Sequence, residues 1–111
     1  MRYLLFIGRD ERIAIGPDDR VGDRTEVWVQ EMDGRGVRLQ GDALAGIEDA
    51  TTVRVREDEV LIADGPFAET KELIAGFDIV ECADLDEAIE VASKHPVATF
   101  GAIEVRPFWE E

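Results

Sequence analysis

The chain has 111 residues, of which 45% are hydrophobic, which is enough for one compact domain spanning residues 1–111. Its 26 acidic residues outnumber its 12 basic residues and give a formal net charge of −14. Because such a surface repels phosphate backbones and lipid headgroups, we expect neither nucleic-acid nor membrane binding. A single cysteine, Cys82, cannot form an intramolecular disulfide, and we expect a cytoplasmic protein.

The first half of the chain predicts a strand, a helix and a second strand. Aromatic and branched residues from Arg2 to Ile7 indicate a strand that Gly8 closes. From about Arg20 to Met32, apolar residues recur at helical spacing, and the glycines that follow supply a stop. The segment "VRLQGDAL", residues 37–44, is typical of a short strand.

The second half predicts a hairpin, a strand, a helix and a last strand. The hairpin has arms at Thr52–Arg56 and Val60–Ala63, joined by a polar "EDE" turn. After a loop, "FDIVECA" predicts a strand. In the following "DLDEAIEVASKHP", Asp84 is placed at the N-cap of a helix and Glu87 lies three residues later, as in a capping box.

The terminal "GAIEVRPF" alternates as a strand with two different faces. Ile103 and Val105 share one face, and Ala102, Glu104 and Arg106 share the other. The complete order, β-α-β-hairpin-β-α-β, predicts an α+β, ferredoxin-like fold with two helices on one face of an antiparallel sheet. Its other face needs a cover, so we expect a homodimeric barrel into which Glu104 and Arg106 point.

The segment "DGPFAETKE", residues 64–72, resembles the motif of DGPF-domain proteins within the YCII-related family. The resemblance extends to "MRYLLFIGRDE", "ATTVRVRE", "DLDEAIEVASKHP" and "GAIEVRPF". It implies a dimeric α+β barrel built on a ferredoxin-like fold. It implies little about function, because members are largely uncharacterised. Some accompany extracytoplasmic-function sigma factors, and some relatives have been suggested to be enzymes with a His-Asp pair, for which this sequence lacks an early histidine.

The charged loop admits a structural and a functional interpretation. Asp64 follows a strand and precedes Gly65-Pro66, so its carboxylate can accept backbone N–H bonds in a turn, or it can act as a catalytic group. Thr70 and Lys71 can form a cap and an ion pair. Alternatively, Lys71 and Arg106 bind a small anionic molecule, with Asp64 or Glu104 as general base.

Three further side chains near the ends of the last elements are open to the same two interpretations. Glu104 and Arg106 either pair with each other or with a second copy, or they contact a ligand. Arg54 and Arg56, which share one face of the hairpin, are alternative partners for Glu104. His95, the only histidine, is either a catalytic acid or base, or a cation favoured by the dipole at a helix end. We favour the second interpretation for His95.

The sequence predicts no metal site and no cofactor, since one Cys and one His do not suffice for a typical zinc site and no phosphate-binding loop is present. We therefore expect a pocket that binds a small anionic molecule or has weak enzymatic activity. The alternative is a regulatory or protein-interaction module.

Overall fold

The computed structural model describes residues 1–10, 21–66 and 72–110. The strands and α-helices within them are, in chain order, β1 (Arg2–Asp10), α1 (Val21–Gly34), β2 (Arg38–Ala43), β3 (Thr51–Arg56), β4 (Glu59–Asp64), β5 (Glu72–Glu81), α2 (Leu85–Ser93) and β6 (Ala102–Pro107). This confirms the predicted order of elements. Neither of these two helices has the length and apolar character needed to cross a membrane.

Four strands form one antiparallel sheet in the order β2-β5-β1-β6. Since β5 lies between β1 and β2, and β1 lies between β5 and β6, the sheet consists of two interlocked split βαβ units. The strand β1 is longer than predicted, because a register shift between Ile7 and Gly8 lets it continue to Asp10. Likewise, Glu72, which we expected in the loop, begins β5.

The hydrophobic core lies between the sheet and the two helices. Alternation along β1 and β5 directs every second side chain to the helices, and those of Leu5 and Val80 are fully buried. Met32 of α1 and Val91 of α2 pack against them in the same cluster. The indole N–H of Trp28 donates to the Val91 carbonyl at 3.0 Å, so α1 is tied to α2 by a buried hydrogen bond.

The opposite face of the sheet carries apolar side chains that the described residues bury only in part. Leu4 and Phe6 of β1 lie beside Phe77 and Ile79 of β5, and each of the four is half-buried. Glu104 of β6 is in register with Phe6 and is exposed. We call this surface the open sheet face.

The start of α2 agrees with the prediction from the sequence, whereas its end does not. The Asp84 carboxylate accepts the Glu87 N–H at 2.9 Å, and the Glu87 carboxylate accepts the Ala83 N–H at 2.9 Å, as the capping motif predicts. The helix ends at Ser93, earlier than expected. Pro96 does not simply end it but begins a short 3₁₀ helix, Pro96–Thr99, because proline suits a first helical position.

The predicted hairpin forms a separate two-stranded sheet, β3 with β4. Its base is fixed because the Thr52 hydroxyl donates to the Gly65 carbonyl at 2.6 Å and the Gly65 N–H donates to Ala50 at 2.8 Å. The turn contains two residues, Glu57 and Asp58, with φ of 52° and 64°. Two positive φ angles are typical of a type I′ turn, which usually contains Asn and Gly.

Replacing Asp58 with glycine is therefore expected to stabilise the hairpin by about 0.5–1 kcal/mol. Glycine removes the unfavourable energy of a left-handed backbone conformation at a residue with a Cβ atom, about 1–2 kcal/mol. This gain exceeds the entropic cost of glycine, about 0.5–1 kcal/mol. Amide hydrogen exchange in β3 and β4 should slow about twofold to fivefold. Glu59→Gly is the matched control, since Glu59 lies within β4, and there exchange should accelerate. Faster exchange in Asp58→Gly would contradict the assignment of the turn.

Candidate functional site

A cleft of about 290 Å³ lies between α1, β2 and β5 on the helix-covered side of the sheet. Its polar wall contains Thr25, Arg38, Gly41, Asp42, Asp78 and His95, and its apolar wall contains Ile7, Val29, Ala43, Ala75, Gly76 and Phe77. Asp78 faces the cleft because it is two residues from the buried Val80 and therefore shares its side of β5.

Arg38 and Asp78 form a largely buried ion pair in this wall. Arg38 Nε donates to Asp78 Oδ1 at 2.9 Å, and only 17% and 9% of the two side chains are exposed. The other guanidinium nitrogens donate to the Gly41 carbonyl at 3.0 Å and, more weakly, to Asp33 Oδ1 at 3.4 Å. Arg38 is thus held by three acceptors on three elements, β5, β2 and α1.

Two features of β2 make room for the pair. The register with β5 shifts between Arg38 and Gln40, so Leu39 is an extra residue and both Arg38 and Gly41 lie on the side of Asp78. Gly41 is directly opposite Asp78, and a Cβ atom at this position would overlap the Asp78 carboxylate. Only glycine therefore leaves Asp78 its present place.

Burial and charge act on Asp78 in opposite directions. Burial raises the pKa of its carboxyl, while the hydrogen bond and charge of Arg38 lower that pKa without cancelling the effect of burial. For Arg38, burial lowers the pKa of the guanidinium, but the hydrogen bonds and charges of Asp78 and Asp33 together outweigh this and raise it. Asp78 is consequently the carboxylate of the cleft most disposed to accept a proton or a strong hydrogen bond.

His95 contributes an uncharged ring to the same cleft. It is 3% exposed, its Nδ1 accepts the Val97 N–H at 3.1 Å, and its ring meets Trp28 edge-on at 4.7 Å. Burial lowers the pKa of the imidazole to about 4. Since Nδ1 is an acceptor, the neutral ring carries its proton on Nε2 and can only donate there.

The expectation of a cationic His95 at a helix end is therefore wrong. The helix α2 ends two residues earlier, and His95 instead caps the following 3₁₀ helix from a buried position. A charged imidazolium would lose its hydration there without gaining a counter-ion.

Comparison with known proteins places the chain in a family. The model of the YCII-related domain matches residues 1–111. The chain belongs to the YCII-related family. A relative from Rhizobium meliloti (strain 1021), named uncharacterized protein R00369, is 47% identical over 60 residues. This match covers 52% of the present chain and 48% of the relative, so it spans about half the length of each.

In this YCII-related chain the predicted site residues lie on three separate surfaces. Asp64 is at the exposed end of β4 in the hairpin. Glu104 and Arg106 lie on the open sheet face, where Arg106 Nη2 contacts Glu104 Oε2 at 2.9 Å and both side chains are more than half exposed. Of the predicted site residues within 1–10, 21–66 and 72–110, only His95 lines the cleft. Thr70 and Lys71, the other predicted ligand-binding residues, lie outside the described residues.

The contact between Glu104 and Arg106 agrees with the interpretation in which the two side chains pair with each other. The guanidinium of Arg106 also lies 5.8 Å from the centre of the Phe6 ring, within the range of a cation–π contact. Both groups therefore have partners within this chain, and their surface is open to solvent.

Three residues of the polar wall, Thr25, Arg38 and Asp78, were not singled out from the sequence. One signal was present: in "FDIVEC", Asp78 is in phase with the apolar Val80 and Cys82, which marks an ionisable residue on a core-facing side. No comparable signal identifies Arg38 as its partner, since 40 residues separate the two.

A second concavity, of about 540 Å³, lies near the end of β2 and the start of β5. Its lining includes Arg9, Glu48 and Ile74, and all of its side chains except the half-buried Ala75 are exposed. It is larger than the cleft, but it has no buried polar group to orient a ligand. Across residues 1–10, 21–66 and 72–110, no cluster of His, Cys, Asp and Glu has the composition of a metal site.

Proposed function

We propose that this YCII-related protein binds a small organic molecule in the cleft between α1, β2 and β5, with Asp78 as the main polar contact. The observation that carries the proposal is the Arg38–Asp78 pair in the wall of the cleft, beside neutral His95. Replacing a buried ion pair by apolar residues is often neutral or stabilising. A contribution to stability therefore does not explain why two charged side chains are buried here, whereas contact with a ligand does.

The charges of the cleft favour a small, uncharged polar ligand. Arg38 already donates to three acceptors, so none of the described residues that line the cleft offers an unpaired cation to an anionic ligand. Asp78 can accept a hydrogen bond from an amide or hydroxyl group, while Ile7 and Val29 contact an apolar part. The volume of about 290 Å³ restricts the ligand to metabolite size.

The test is a screen of small amides, alcohols, amines and carboxylates, followed by amide chemical shifts. An uncharged polar compound should shift the amides of Gly41, Gly76 and Asp78. Because a hydrogen bond to a charged group contributes about 1.5–3 kcal/mol, Asp78→Asn should weaken binding about tenfold to a hundredfold. Glu104→Gln, on the open sheet face, is the control and should leave the affinity unchanged. Binding that is lost in Glu104→Gln but kept in Asp78→Asn would overturn the proposal.

We also propose that two copies pair through the open sheet face to form an α+β barrel. Leu4, Phe6, Phe77 and Ile79 support this, because a half-buried apolar stripe on a sheet is stabilised by a cover. In such a dimer Glu104 and Arg106 lie at the edge of the enclosed space. The expected small anionic molecule would bind there at Arg106, and Asp64 and Lys71 would have to approach from the hairpin and the loop.

The second candidate function is a regulatory or protein-interaction module. The exposed hairpin favours it, because β3 and β4 carry large apolar side chains that the described residues leave uncovered.

A further inference from the structure

The two faces of the β3–β4 hairpin differ sharply in chemistry. The register pairs Val53 with Ile62 and Val55 with Val60, so these four side chains form one apolar face. They are between 56% and 70% exposed. The other face carries Arg54 opposite Leu61 and Arg56 opposite Glu59. This clean alternation is typical of a sheet that is covered on one side and solvated on the other.

Nothing in the described part of the same chain provides that cover. The core cluster contains no residue of β3 or β4. A two-stranded hairpin is only marginally stable by itself in water. The molecule measures 47 × 45 × 18 Å, so it is a flat slab in which the hairpin extends sideways instead of folding over the sheet.

We propose that the apolar face of the hairpin lies on a second copy of this chain, as an arm that reaches across the dimer. The inference rests on the proposed pairing through the open sheet face. Four side chains make a patch well below the roughly 800 Å² per partner of a stable interface. The second copy must therefore make a further contact with this chain, and the open sheet face supplies that contact.

Charge is distributed as such a contact requires. Arg54 and Arg56 lie on the other face of the hairpin and have no ion pair with a carboxylate among the described residues. They remain in solvent when the apolar face is covered, so the contact buries no unpaired arginine.

Sedimentation equilibrium of purified protein tests the arm. Ile62→Lys should raise the dimer dissociation constant at least about tenfold, because it places a charge within the apolar contact. Leu61→Lys is the matched control, since Leu61 is the neighbouring residue on the opposite face, and its effect should stay below about threefold. Circular dichroism shows whether each variant keeps the wild-type fold.

A cross-linking experiment gives a second, independent measurement. Cys82 is buried, so benzophenone-maleimide attached to Val55→Cys labels the arm alone. Irradiation should produce a covalent dimer, and Arg54→Cys on the opposite face should produce much less. A dimer that is unaffected by Ile62→Lys and is not cross-linked through position 55 overturns the arm but leaves the open-face pairing intact. A wild-type monomer overturns both.

Discussion

Replacing Arg38 with methionine is expected to lower the free energy of unfolding by about 3–5 kcal/mol. The change leaves Asp78 as a buried carboxylate without its counter-ion, and breaking a buried pair in this way has a cost of about that size. Methionine keeps an apolar stem of similar length, so lost packing contributes little. Urea unfolding at neutral pH, compared with wild type, measures the effect.

The double variant Arg38→Met/Asp78→Leu provides the control for this prediction. It removes both charges, and because hydrophobic replacement of a buried pair is often neutral, most of the lost stability should return. In the single variant the deficit should shrink as pH falls, because burial raises the pKa of Asp78 and protonation removes the unpaired charge. A deficit below about 1 kcal/mol, the usual contribution of an exposed pair, would contradict the buried geometry.

Lowering the pH from 6.5 to 4 is expected to remove about 3 kcal/mol of stability through His95 alone. In the unfolded chain the imidazole binds a proton near pH 6.5, whereas the native imidazole has a pKa of about 4. The unfolded state therefore binds more protons within this window. The contribution is complete above pH 6.5 and is lost as the pH falls towards 4.

His95→Asn isolates this effect from the carboxylates that titrate at similar pH. Asparagine can still accept the Val97 N–H at the cap, but it does not ionise. The difference in unfolding free energy between wild type and variant should thus narrow by about 3 kcal/mol as pH falls, which corresponds to a pKa difference of about 2.5. Parallel curves for the two proteins would show that His95 is charged or exposed in the native state.

The sequence correctly predicted those structural features that depend on one short segment. The alternation of "GAIEVRPF" correctly placed Glu104 and Arg106 on one face, and the spacing of Asp84 and Glu87 correctly located the start of α2. The hairpin arms followed from their residue types, although the turn has two residues instead of three, since Glu59 belongs to β4.

The cleft could not be predicted because its geometry depends on residues far apart in the chain. Asp78 has a counter-ion only because an extra residue, Leu39, shifts the register of β2. The role of His95 was misinterpreted because α2 ends at Ser93, before the histidine is reached. The edge contact between the His95 and Trp28 rings joins residues from different elements. Periodicity gives the direction of a side chain, but not the partner that another element brings to it.

The contact between Trp28 and His95 also gives the protein a built-in optical probe. Of the two tryptophans, Trp28 is 2% exposed and Trp109 is 87% exposed, so an aqueous quencher such as iodide reaches Trp109 first. The unquenched emission then comes from an indole that touches the wall of the cleft. Its wavelength and intensity report on the surroundings of His95, without any label.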